Sequence, residues 1–422
     1  MDVKIEKLVY GGDGLGHADG AAVFVPYVLP EEVVRVRELE RKKKFVRGRV
    51  EEVVTASAER TSPPCRHFGV CGGCHYQHMP YEVQLRYKAE ILRENVRRIG
   101  RVNWEGPIET VGSPPLGYRN RAQWHIRSEG TGYLQAGTSV LCAVEECPIL
   151  SPRLAKILER VRELAAQKRL PPTVTEIEAF ADAADEKVLL SASLSHFHGQ
   201  EKAVAKTLRG GIEGTESVLL HEASRGVMEL DGPGFINYEA GGFRYRVGHL
   251  SFFQVNRFLI EEMVQRVVGE ERGGLAVDLY AGVGLFTLPL ARRYERAIGV
   301  EANPATVRDL RANAKENKVE CGAVNEGVEK FLSTWKDAPD LVVLDPPRAG
   351  VPGPAIEKLR RLAPTRIVYL SCDPSTLARD LAALLAASDG PGASYEMQSV
   401  ELLDVFPQTY HIEALVRLTR RE

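Results

Sequence analysis

Leu275-Ala-Val-Asp-Leu-Tyr-Ala-Gly-Val-Gly284 (LAVDLYAGVG) runs from a short apolar stretch into a glycine-spaced turn, and LFTLPLARRY follows it with helical character. A strand that ends on such a turn and enters a helix is the opening unit of an open, mostly parallel α/β sheet. Gly282 and Gly284 permit a tight turn and close approach of a ligand to the backbone. A third glycine, needed to seat a pyrophosphate, is missing, and Asp278 stands just before the turn. A carboxylate there repels phosphate and attracts an ammonium or sulfonium. Glu301, 23 residues after Asp278 at the end of the next apolar run, is placed to accept hydrogen bonds from two ribose hydroxyls. Together these features suit S-adenosylmethionine better than a phosphorylated cofactor.

The same texture continues outward over residues 251–422, where RAIGVEAN, DLVVLDPP and RIVYLSCD alternate with helical segments. Right-handed βαβ units are expected, with ligands at the carboxyl ends of the strands. Asp345-Pro-Pro-Arg348 stiffens one such end, because two prolines fix the backbone and remove two amide donors. In Tyr369-Leu-Ser-Cys-Asp-Pro-Ser-Thr376, Asp373 reads as an N-cap and Pro374 as the first helical turn. Cys372 then lies at a helix N-terminus, whose amides favour a thiolate while Asp373 opposes it. On its own such a cysteine is more often buried filler. The C-terminal run alternates: Ile412, Ala414, Val416 and Leu418 share one face, and His411, Glu413 and Arg417 the other. Either this is an edge strand with a solvated face, or Glu413 points over the rim toward Cys372. Methylation of uracil C5 asks for such a pair: a thiolate to add to C6 and a carboxylate to remove the C5 proton.

Toward the N-terminus, residues 1–60 have short β-branched runs cut by Gly-Gly-Asp-Gly and Leu-Pro, which predicts a five-stranded barrel of the oligonucleotide-binding kind. RKKKFVRGR at 41–49 holds six basic residues in nine around Phe45, either a single-stranded RNA contact or a solvated turn. Residues 61–250 read as a mixed α/β central domain. Within it, Leu85, Ala89, Leu92, Val96 and Ile99 predict an amphipathic helix over 82–99. Seven cysteines, an odd count without an export signal, argue against a disulfide framework. Cys65, Cys71 and Cys74 cluster in a Gly-rich loop, with Cys142 or Cys147 available as a fourth ligand. Four thiolates hold a [4Fe–4S] cluster, and His67, His75 and His78 keep a zinc site open. A net charge of −2 confines any nucleic-acid surface to local patches. The chain has neither a long apolar run nor a signal-peptide core, so a cytoplasmic protein without a membrane partner is expected.

YLSCDPST, LDPPRAG, DLYAGVG, SFFQVN and FPQTYHIE together resemble the RNA uracil-5 methyltransferase family of tRNA and 23S rRNA enzymes. Residues 1–60 resemble the TRAM domain that many members carry. The resemblance implies a class I S-adenosylmethionine-dependent, Rossmann-like catalytic domain over 251–422, with Cys372 as nucleophile and Glu413 as base. It further implies that Gln254, Tyr280, Gly282, Glu301 and Asp345 meet S-adenosylmethionine. Leu285 departs from members with a polar residue there, leaving only a backbone contact to be expected. The Cys65, Cys71, Cys74 spacing implies a [4Fe–4S] cluster whose fourth ligand is Cys147, in CPIL. The cluster and TRAM-like domain fit the 23S rRNA branch; a tRNA target stays open, and a monomer is favoured. A different class, an iron–sulfur RNA-binding or redox-sensing protein without methyl transfer, would leave the Cys372 and Glu413 set idle. A radical S-adenosylmethionine enzyme ranks last, because no CxxxCxxC occurs.

Overall fold

The computed structural model describes residues 1–197, 199–222, 224–387 and 392–421. The expected N-terminal barrel is present and closed: Asp2–Leu8, Asp13–Ala18, Ala21–Pro26, Phe45–Thr55 and Val33–Arg41 pair in that order, and the last returns to the first. Alternation drives it. Val3, Ile5, Val23, Val25, Val34 and Val36 point inward, each contributing about 1.5–3 kcal/mol through burial. The basic run at 41–44 forms the exposed turn between its last two strands.

The catalytic sheet has eight strands, in the order Gly322–Asn325, Tyr294–Glu301, Gly273–Leu279, Leu341–Leu344, Arg366–Ser371, Glu413–Arg420, Tyr395–Leu403 and Ile108–Val111. The first five are parallel, and Glu413–Arg420 is antiparallel to both its neighbours. The C-terminal strand is therefore internal and not an edge. Ile412, Ala414, Val416 and Leu418 sink into one core and Leu415 into the core on the opposite face.

Residues 61–250, expected as one central domain, do not pack as one unit. Strand Ile108–Val111 extends the catalytic sheet, and helix Tyr81–Arg98 packs on helix Pro374–Leu385. The hairpin Phe235–Ala240 and Phe243–Gly248 also joins the catalytic core. What remains is a seven-stranded sheet running from Val227–Asp231 to Leu141–Ala143, covered by helix Pro152–Ala166. The helix expected over 82–99 is found, but its buried face carries Gln84, Tyr87, Lys88, Ile91, Leu92 and Val96, while Ile99 is exposed. Polar residues enter that face because partners in the C-terminal loop meet them.

The helix expected over LFTLPLARRY shrinks to Thr287–Leu290. Pro289 has no amide to offer the carbonyl of Leu285, which instead accepts from the Tyr245 hydroxyl at 3.1 Å. That carbonyl therefore already has one partner at the start of the turn. Among the described residues, no helix is long and apolar enough to cross a membrane.

Candidate active site and a cysteine-lined cavity

Four parallel strands end at one rim, which brings Tyr280, Glu301, Asp345 and Cys372 to the same side of the sheet. Tyr280 and Gly282 turn the chain there with φ of 68° and 55°. No atom lies within 4 Å of where a Cβ would stand on Gly282, so the turn is open to a ligand. Gly284 differs: a Cβ there would come 2.6 Å from Leu288. Glu301 is bound to this turn, accepting from the Gly282 amide at 3.1 Å and the Asn303 amide at 2.7 Å. Each oxygen keeps a further lone pair. Asp278 lies beneath the turn, buried, accepting from the Thr287 hydroxyl at 2.6 Å. Its other oxygen is buried without a partner, and burial pushes its carboxyl up to about 7.

Cys372 and Glu413 come together through strand register. Ser371 pairs with Ala414 at the end of the antiparallel ladder, so Cys372 and Glu413 are the next residues beyond it on either strand, and the Glu413 carboxyl acts on the Cys372 thiol. Asp373 caps the following helix, accepting from the amides of Ser375 and Thr376 at 2.9 Å each, as expected. The expected thiolate does not follow. Burial first, then the neighbouring carboxyls of Glu413 and Asp345, push the Cys372 thiol up to about 12, with Arg348 opposing. Burial also pushes Asp345 up to about 7 and, with Asp345, holds Glu413 well above the usual carboxylate range. A helix terminus is outweighed when a thiol is buried beside two carboxyls.

Some residues at this rim carried no role in the sequence reading. Arg348, inside the quoted DPPR, reaches His411 Nδ1 at 3.3 Å and acts on Cys372 and Glu413. Its loop is gripped by Asp380, which accepts from the Val351 amide at 2.8 Å and the Tyr369 hydroxyl at 2.7 Å. Tyr10, from the barrel, donates to Asp373 Oδ2 at 3.2 Å. Its only sequence signal is its place before the Gly-Gly-Asp-Gly turn. Gln254 is buried between Phe253 and Val255, which both belong to the catalytic core. Asn256, two residues on, donates to the Asp404 carbonyl at 3.4 Å.

Cys65, Cys71, Cys74 and Cys147 line one cavity of about 270 Å³, together with His67, Gln77, Arg119 and Tyr133. Cys142 is not in its wall; it is buried in the central core, paired across the strands with Tyr133. His75 and His78 also face elsewhere. His75 packs on the Tyr410 ring at 4.5 Å, and His78 lies 3.3 Å from the Val28 carbonyl. Burial, then the neighbouring thiols, push Cys74 up to about 12. Gln77 Oε1 accepts from the Cys65 amide at 3.1 Å, while its Nε2 and His67 Nε2 are buried without partners. Among the described residues, no three His, Cys, Asp or Glu side chains stand close enough to grip a single ion.

Comparison with known proteins covers the whole chain. Residues 1–50 match the TRAM domain, 238–350 the TRM5/TYW2 methyltransferase domain, and 332–421 the tRNA (Uracil-5-)-methyltransferase family. An uncharacterized RNA methyltransferase of Aquifex aeolicus is 32% identical over 99% of this chain and 98% of its own length. The 23S rRNA (uracil(1939)-C(5))-methyltransferase RlmD of Salmonella typhimurium is 35% identical over 100% and 96%. Among solved structures, Pyrococcus abyssi tRNA (uracil-54, C5)-methyltransferase in complex with S-adenosyl-L-homocysteine superposes with a TM-score of 0.77 at 25% identity, covering 99% of this chain and 100% of that one. The chain therefore belongs to the RNA uracil-5 methyltransferase family and is an RNA (uracil-5-)-methyltransferase with an N-terminal TRAM domain.

Proposed function

We propose that this enzyme methylates C5 of a uridine in 23S rRNA, using S-adenosylmethionine and a covalent adduct between Cys372 and uracil C6. The observation that supports the mechanism is the register that ends at Ser371 and Ala414 and leaves Cys372 and Glu413 as neighbours at the rim. S-adenosylmethionine supplies a methyl group on a sulfonium. Tyr280, Gly282 and Glu301 are the residues to hold it at the open turn, Asp345 beside them, with Gln254 contributing from its own segment. The buried carboxyl of Asp278 beneath that turn gives a cation a counter-charge. With its proton lost to solvent in the loaded site, the Cys372 sulfur would bond to C6. The electron pair displaced onto the uracil carbonyl would return to form the C5–methyl bond as the methyl–sulfonium bond breaks and leaves S-adenosylhomocysteine. Glu413 then takes the C5 proton, and the C6–S bond breaks to restore the thiolate. Burial beside Asp345 makes Glu413 a strong acceptor for that proton. The target base must leave its stack to expose C6, and the TRAM barrel with its basic 41–49 segment is the unit proposed to hold the RNA.

Full-length similarity to the 23S rRNA enzyme favours that substrate, and the Pyrococcus structural likeness keeps tRNA as the second reading. Mapping 5-methyluridine in 23S rRNA and tRNA from cells with and without the protein decides between them. Cys372→Ser should give the pattern of the deletion while binding RNA normally; restored methylation by that variant would reject the nucleophile. Glu413→Gln should transfer the methyl group and then stall, visible as a denaturation-resistant protein–RNA band, and normal turnover would remove it as the base.

The raised thiol has its own signature. In the free protein, alkylation of Cys372 by iodoacetamide, followed by peptide mass, should keep accelerating up to pH 10. A thiol of ordinary pKa, about 8.5, would be levelling off there. Asp345→Asn removes a neighbouring carboxylate and should bring the rise to lower pH.

Cys65, Cys71, Cys74 and Cys147 would hold the [4Fe–4S] cluster. Four thiols around one cavity suit a cluster, in which each thiolate binds its own iron; a single zinc needs its donors closer, with Zn–S near about 2.3 Å. The unpartnered Gln77 and His67 nitrogens supply donors to sulfur there. The cluster's part is structural. Anaerobically purified protein should contain iron and acid-labile sulfide that Cys147→Ala loses and Cys142→Ala keeps. Stoichiometric zinc without sulfide would reject the assignment.

A further inference from the structure

Residues 404–412 lead from strand Tyr395–Leu403 to Glu413, and their polar groups are held from outside the loop. Lys88 Nζ donates to the Phe406 carbonyl at 3.0 Å, and the Tyr118 hydroxyl to that of Pro407 at 3.1 Å. Gln408 sits at φ 67°, in the left-handed region, which costs a residue with a Cβ about 1 kcal/mol. Such a conformation persists only where the surroundings over-determine it.

Two sources do so here. Gln84 of helix Tyr81–Arg98 closes a reciprocal pair: its Nε2 donates to Gln408 Oε1 at 3.0 Å, and its Oε1 accepts from the Gln408 amide at 3.0 Å. Gln84 Nε2 also donates to the Met79 carbonyl at 3.2 Å, and the side chain is 1% exposed. On the other side, the Gln408 carbonyl accepts from the amides of His75 at 2.8 Å and Tyr76 at 3.0 Å. Those amides directly follow Cys74, a wall residue of the cysteine-lined cavity. A fully satisfied buried amide pair is directional, where two apolar side chains would pack without fixing an angle.

We propose that Gln84, with the turn after Cys74, positions Glu413 for proton abstraction by fixing the left-handed bend at Gln408. The cysteine-rich loop thereby acts on the second chemical step. This rests on the reading of Glu413 as the base. Methyl transfer to C5 precedes that step and does not use Glu413, so a displaced carboxylate slows adduct resolution alone.

The test is Gln84→Leu, which keeps side-chain bulk and removes both bonds to Gln408. The expected result is a kcat lower by roughly tenfold or more, an unchanged KM for RNA, and a methylated protein–RNA adduct that survives denaturation. Hydrogen exchange should quicken in 404–412 and stay unchanged in strand Gly273–Leu279. Gln84→Glu keeps the acceptor for the Gln408 amide and should recover part of the rate; if Gln84→Leu fails to fold, Gln84→Glu carries the same comparison. A kcat within about twofold of the parent, or a loss of rate without adduct, overturns the proposal. Glu413→Gln run in parallel separates the two ideas. Adduct with Glu413→Gln but not with Gln84→Leu removes the positioning role alone; adduct with neither removes the base as well.

Discussion

The buried ion pair between Lys88 and Asp404 is the contact on which the catalytic unit depends. Their charged groups lie 2.5 Å apart and both side chains have no exposure at all. Taking each charge out of water costs several kcal/mol, and only close pairing with further hydrogen bonds offsets it. Burial lowers the Lys88 pKa and Asp404 opposes the shift. Truncating one partner of such a pair leaves an uncompensated buried charge, at about 3–5 kcal/mol. The pair joins a helix that begins at residue 81 to a loop that follows the seventh strand of the sheet. The chain leaving that helix then adds Ile108–Val111 beside Tyr395–Leu403. A segment early in the sequence is thus built into the catalytic core, and the loop that leads to Glu413 inherits its place from it.

The rim above that core is nearly without countercharge. Asp278, Asp345 and Glu413 are carboxyls held above their usual range, and Cys372 is a thiol held above its own. Arg348 is the cation whose influence reaches both Cys372 and Glu413. Like charges this close do not all ionise at once. An anionic cofactor would worsen the balance and a cationic methyl donor improves it. The thiolate proposed for Cys372 then belongs to the loaded site, where a cation offsets the neighbouring carboxyls.

What the sequence made legible follows from locality. The LAVDLYAGVG turn, the Asp373 cap and the alternating barrel strands are set by residues within a few positions of each other, and all formed as read. The place of the C-terminal strand is not legible locally, because it needs the strand order: Glu413–Arg420 slots between two strands instead of lying at the edge. Gln84 and Lys88 fell outside the apolar stripe of their helix because their partners, Gln408 and Asp404, lie more than 300 residues away. Ile108–Val111 is four residues long, too short for its periodicity to announce a strand. Pro289 sat in plain view, but its effect depended on Tyr245 reaching the carbonyl that the helix left free.

The barrel's attachment follows the same logic at larger scale. Tyr10 donates to Asp373, the residue next to Cys372, and its ring meets Tyr410 edge-on at 5.8 Å. Lys7 pairs with Glu94 on the helix that carries Gln84 and Lys88, at 2.5 Å. At Gly12, with φ 94°, a Cβ would stand 3.3 Å from the Tyr410 ring and 3.4 Å from His75. The barrel, the cysteine-rich loop and the C-terminal loop therefore close on one aromatic junction that an added methyl group would crowd. A flexibly linked RNA-binding domain would raise only the local concentration of substrate. One fixed by direct contacts to the Asp373 cap would hold bound RNA at a set reach from the rim, and positioning of that kind would lower the barrier to the attack on C6 proposed for Cys372.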